Sequence, residues 1–183
     1  MEATELLMSE HRIVEKVLNS LESAANKLER NEAVRAGFFV DAAQFSKGFT
    51  DGCHHRKEEG VLFKALVHNG VSDSTGPVAV MLAEHEQGRK YIKAMRTAAE
   101  EMEKGDSSAA GRVIENARGY IALLRQHIMK EDNILFPMAD RVIPANEQEK
   151  VGEDFERVEE EETGAGVHEK YLGLAEAMQK EIS

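Results

Sequence analysis

Six residues have the types and spacing of a metal centre: His11, His54, Glu58, His85, His127 and Glu131. They fall in a weak internal duplication. LLMSEHR at 6–12 is echoed by VMLAEHE at 80–86, and HHRKEEGVLFKAL at 54–66 by HIMKEDNILFPMA at 127–139, at offsets of 73 or 74 residues. Each half carries a Glu-His pair and then a His-x-x-x-Glu followed by an apolar residue, Leu and Phe. Residues four apart on a helix share a face one turn apart, so His54 with Glu58, and His127 with Glu131, each present a nitrogen and a carboxylate to one point. His11 and His85 add an imidazole from each remaining segment.

Burying such groups without partners costs several kcal/mol for each charge, on the order of what fixes a fold. A pair of metal ions removes that cost. The set holds no thiolate, and nitrogen and oxygen donors suit iron ahead of manganese or zinc. His55 and Glu59 form a competing His-x-x-x-Glu, turned about 100° around the helix. Aligning Val61-Leu62-Phe63 with Ile134-Leu135-Phe136 selects His54 and Glu58. His55 or Glu59 then serves behind the ligands, where ligating histidines hand their other nitrogen to an acceptor. Glu10 and Glu84 precede the Glu-His histidines in both halves and are read as such acceptors or as surface acids.

The elements that must position these groups are helices. Apolar positions at helical spacing run over 3–29, about 34–67, about 77–103 and about 108–141. Asn69-Gly70 and Gly105 mark stops, and Pro77 suits a first helical turn. Two shorter segments follow, about 145–161 and 167–182, separated by Thr163-Gly164-Ala165-Gly166. The acidic run Glu159–Glu162 reads as a solvated helix end. Four long helices with short loops predict an all-α, up-down-up-down four-helix bundle over about 3–142, with additional C-terminal helices over about 145–182, in one domain spanning 1–183.

Composition agrees. Only three prolines and no tryptophan occur in 183 residues, and 31% are charged. The net charge of −11 repels phosphate backbones, so nucleic acid is not an expected partner. No apolar run reaches the roughly 18 residues of a membrane span, and MEATELLMSE has no signal-peptide pattern. Cys53, the single cysteine, is expected as a small buried residue in a reducing compartment, hence a cytoplasmic protein.

The order His11, HHRKEEGVLF, EHE, HIMKEDNILFP resembles the hemerythrin-like (HHE cation-binding) family over about residues 5–142. The resemblance implies a cofactor of two iron ions, bridged by oxygen or carboxylate, with Glu58 and Glu131 as the bridging carboxylates. It further implies an encounter with oxygen, nitric oxide or peroxide. One position departs: oxygen-carrying hemerythrins have a second histidine four residues after the one matched by His85, and here it is Arg89. His168, beyond a glycine-rich hinge, is the candidate for the missing imidazole. The expected function is a di-iron protein that binds or senses oxygen, nitric oxide or redox state, its output passing to a partner protein. The alternative is a di-iron enzyme acting on peroxide, oxygen or nitric oxide, or delivering iron for cluster repair.

Overall fold

The computed structural model describes residues 1–164 and 166–183, the side chains of 161–163 excepted. Among these residues the chain is helical throughout, without strands. Helix α1 spans Glu2–Glu29. The continuous run 36–68 is α2, and it contains π-helical stretches at Ser46–His55 and Glu58–Leu62. Helix α3 spans Gly76–Glu103. The run 110–142 is α4, with a π-helical turn at Glu131–Leu135. Runs 145–163 and Val167–Ile182 are α5 and α6. These follow the expected boundaries within a residue or two. Ala165, and the Glu161 and Glu162 side chains of the acidic run, fall outside the described residues.

Three helix ends close in one way. The amide three residues past the helix end reaches back five positions: Glu32 to Lys27, Val71 to Leu66 and Asp106 to Glu101, at 3.0–3.1 Å. This closure requires a left-handed residue, supplied by Asn31 (φ 59°), Gly70 (φ 91°) and Gly105 (φ 98°). The reversals let α1 pack on α4, α4 on α3 and α3 on α2, while α6 lies against both α1 and α2 and closes that side of the bundle. Among the described residues no helix is long and apolar enough to cross a membrane.

The core is split in two. One apolar cluster gathers Val14, Leu18, Phe38, Phe45, Phe49, Met95, Tyr120 and Leu124, reaching Met178 of α6. The other gathers Leu7, Leu62, Phe63, Val78, Leu135 and Phe136, with Phe155 of α5. On every one of the four bundle helices the histidines and glutamates fall between these clusters, in a buried polar layer.

Candidate metal centre

His11, His54, Glu58, His85, His127 and Glu131 come together in that layer, each at most 2% exposed. The duplication is visible in the geometry. Glu58 turns Oε1 toward His54 Nε2 at 3.5 Å and Oε2 toward His85 Nε2 at 3.3 Å. Glu131 turns Oε2 toward His11 Nε2 and Oε1 toward His127 Nε2, both at 3.2 Å. Each carboxylate thus divides its oxygens between two poles. One pole joins His11, His54, Glu58 and Glu131; the other joins Glu58, His85, His127 and His55.

His55 was expected behind the ligands, or in a rival register in place of His54. Instead its ring stacks on His85, centroids 3.7 Å apart, and it supplies a donor at the second pole. The π-helical stretch ending at His55 explains this, because its wider turn rotates successive side chains by less than the 100° of an α-helix. Both neighbouring histidines then face inward.

A fifth imidazole, that of His55, thus stands at the cluster, and His168 lies elsewhere. Its ring packs on Phe49 at 5.3 Å, and it neighbours Glu10, Cys53 and Glu159. There the Lys57 ammonium already bridges Glu10 and Glu159, so those carboxylates are compensated without a metal. Arg89, at the position that departs from the oxygen carriers, donates to Asp51 (2.7 Å), Glu59 (2.7 Å) and Glu86 (2.5 Å).

Every imidazole at the centre is braced through Nδ1 by a carboxylate, which leaves Nε2 directed inward. Asp132 braces His11 (2.7 Å) and Glu59 braces His85 (2.7 Å). Glu10 braces His54 and Glu84 braces His127, each at 2.9 Å. Asp51 stands 3.5 Å from His55. The first four obey the duplication, as do the lysines behind them, Lys57 on Glu10 and Lys130 on Glu84. Glu10 and Glu84 are thus partners of the clustered histidines and not idle surface acids. Sequence reasoning missed Asp51, Asp132, Lys57 and Lys130. The last three sit at or beside repeat positions, so the alignment of the halves held the signal.

The donor set fits metal ions by what is left unsatisfied. Nε2 of His11, His54 and His55, and all four oxygens of Glu58 and Glu131, are buried without a hydrogen-bond partner. Native interiors hold few such atoms, and a cluster of them calls for a ligand. Two divalent cations would meet these atoms from Nε2 and carboxylate oxygen, with the braces raising ligand basicity.

Electrostatics of the metal-free protein agree. Burial opposes charge on His11, but Asp132 and Glu131 outweigh it and raise its pKa to about 9. Burial likewise opposes charge on His127, and Glu131 and Glu84 raise its pKa to about 10. Glu131, despite burial, is held well below the ordinary carboxylate range by His127 and His11. Burial, with the neighbouring His85, keeps His55 neutral.

A prediction follows for pH. A raised histidine pKa stabilises the fold fully below the unfolded value near 6.5 and loses that contribution as pH rises through the folded value. Metal-free protein should therefore lose thermal stability between about pH 6.5 and 10, through the pKa values near 9 and 10. Metal ligation replaces the protons, so the loaded protein should lack that decline. Melting curves with and without metal across this range check it.

Comparison with known proteins agrees with this geometry. The family model for the hemerythrin HHE cation-binding domain matches residues 2–139. The chain belongs to that family, a class of cation-binding helical bundles. An uncharacterized protein of Mycobacterium tuberculosis and its counterpart in Mycobacterium bovis are each 26% identical to it over 163 residues, or 88% of this chain. The chain spans 63% of the length of these curated relatives. No solved structure matches it.

Proposed function

We propose that the centre holds two iron ions and that the protein binds a small diatomic ligand, oxygen or nitric oxide, serving as a sensor of that ligand or of redox state. The observation that carries this reading is the inequality of the poles. One has three imidazoles, from His55, His85 and His127; the other has two, from His11 and His54; both share the two carboxylates. The poorer pole is short of one protein donor. Beside it Val14, Leu124 and Ile128 pack against the imidazoles, with Thr50 among them. A pole with one donor missing, set beside aliphatic side chains, favours a small uncharged ligand over a polar substrate. Iron, when bound, supplies a vacant position there and a reversible change of oxidation state. The chain's residues keep the imidazoles oriented and set aliphatic side chains beside that position.

A cytoplasmic location fits a protein whose single thiol is buried, and the output of a sensor would pass to a partner protein. The second reading is an enzyme using the same centre on peroxide, oxygen or nitric oxide. It is favoured by a cleft that reaches the richer pole at His55 and His85.

Anaerobic titration of the ferrous protein with nitric oxide, then oxygen, separates the two readings. Saturable, reversible binding that fails in Leu124→Trp supports the ligand-binding reading. Sustained peroxide turnover that survives Leu124→Trp favours the enzyme. The assignment of the fifth imidazole is checked separately: His55→Ala should reduce iron below two per chain, whereas His168→Ala should leave iron content unchanged.

A further inference from the structure

The cleft at the richer pole is larger than a diatomic ligand requires. It measures about 430 Å³, within the roughly 300–1,000 Å³ of sites that take small organic molecules. Its lining is predominantly apolar. Ala43, Gly88, Ile92 and the Tyr120 ring form the walls, and the His55 and His85 rings lie at the inner end.

Two features make it more than an apolar hollow. Thr50 lines it, 2% exposed, with its hydroxyl beside the buried phenol of Tyr120. At the mouth stand Lys47, Lys93 and Arg96, all exposed. Arg96 is paired with Glu100 at 2.7 Å, but Lys47 and Lys93 have no ion pair among the described residues. Arg89 also lines the cleft, its charge balanced by Asp51, Glu59 and Glu86. Two uncompensated cations at one opening of a protein with net charge −11 form a local positive potential that selects anions.

We propose that this cleft is a binding site for a small organic acid, an apolar body carrying one carboxylate. The body fills the space between Ile92, Ala43 and Tyr120, and the carboxylate stays at the mouth with Lys47 and Lys93. A polar substituent at the far end of the body would meet the Thr50 hydroxyl, beside the His55 and His85 imidazoles. The site is built of protein alone and does not depend on which metal, if any, fills the centre.

The test uses the metal-free protein and three probes of one shape, benzoate, benzamide and benzylamine, titrated calorimetrically. The expected result is saturable benzoate binding, at least tenfold tighter than benzamide, with no detectable benzylamine binding. The double variant Lys47→Glu, Lys93→Glu, at exposed positions that leave the fold intact, should weaken benzoate at least tenfold. Ile92→Trp, which fills the cleft, should abolish binding in a protein whose helicity is unchanged. Absence of saturable benzoate binding, equal binding of all three probes, or benzoate binding that survives Ile92→Trp would overturn the proposal. Repeating the titration on iron-loaded protein separates this site from the diatomic reading: failure of nitric oxide binding leaves the metal-free result standing, and the reverse holds equally.

Discussion

Replacing His127 with alanine should strip the protein of metal and lower its melting temperature by at least 10 °C, roughly. His127 stands at the richer pole and is one of two compensating imidazoles for Glu131, whose Oε1 lies 3.2 Å away. Without it, Glu131 keeps only His11 within reach in a layer it shares with no solvent. Two losses then add. A ligand at a thousand times its dissociation constant contributes about 4 kcal/mol, which disappears with the metal. An uncompensated buried carboxylate costs a further 3 kcal/mol or so. In a chain of this size each kcal/mol moves the midpoint by about 2–4 °C. Elemental analysis and calorimetry of the variant check both parts. Retention of wild-type metal content and melting temperature would be incompatible with the centre described.

The second large effect is expected at Lys57, which touches no metal. Its ammonium is buried, 0% exposed, between Glu10 and Glu159. Burial opposes its charge, but Glu10 more than restores it, and its pKa is raised. Lys57→Met keeps the apolar stem and removes the charge, leaving Glu10 buried at 0% exposure with only the His54 imidazole to meet it. Breaking a buried pair in this way costs about 3–5 kcal/mol, seen as a lower denaturation midpoint in urea. The duplication supplies its own control. Lys130 makes the same contact with Glu84, but these side chains are 28% and 18% exposed. Water screens that pair, so Lys130→Met should cost about 1 kcal/mol or less. Equal losses in the two variants would show that burial does not set the difference.

Much of this was legible in the sequence because two signals coincided. Helical periodicity placed the four long helices, and the stops at Asn69-Gly70 and Gly105 are the left-handed closures the backbone adopts. The 73-residue repeat then chose among histidines that meant nothing singly. Both signals assume a regular α-helix, and the centre departs from it there. His54 and His55 were read as rival registers because neighbours on an α-helix diverge by about 100°. The π-helical turns ending at His55 and beginning at Glu58 and Glu131 admit both. Apolar spacing carries no trace of them, since the polar layer interrupts the pattern just where the turns widen. His168 was misplaced for another reason. A histidine after a glycine-rich hinge can be sent anywhere by the packing of α6, and here that packing puts it against Phe49. Arg89 shows the same limit. Its departure from the oxygen carriers was plain, but that it holds Glu59 and Asp51, the acceptors of His85 and His55, depends on contacts between α2 and α3.

The central claim is that Glu58 and Glu131 join two metal poles in one buried layer. Metal content per chain tests it most directly, measured by elemental analysis on protein loaded anaerobically with ferrous iron and freed of excess, beside the same measurement on Glu58→Ala. Two irons per chain are expected in the native protein and a loss at both poles in the variant, because each pole draws an oxygen from Glu58. One iron or none in the native protein, or two retained in Glu58→Ala, would contradict it.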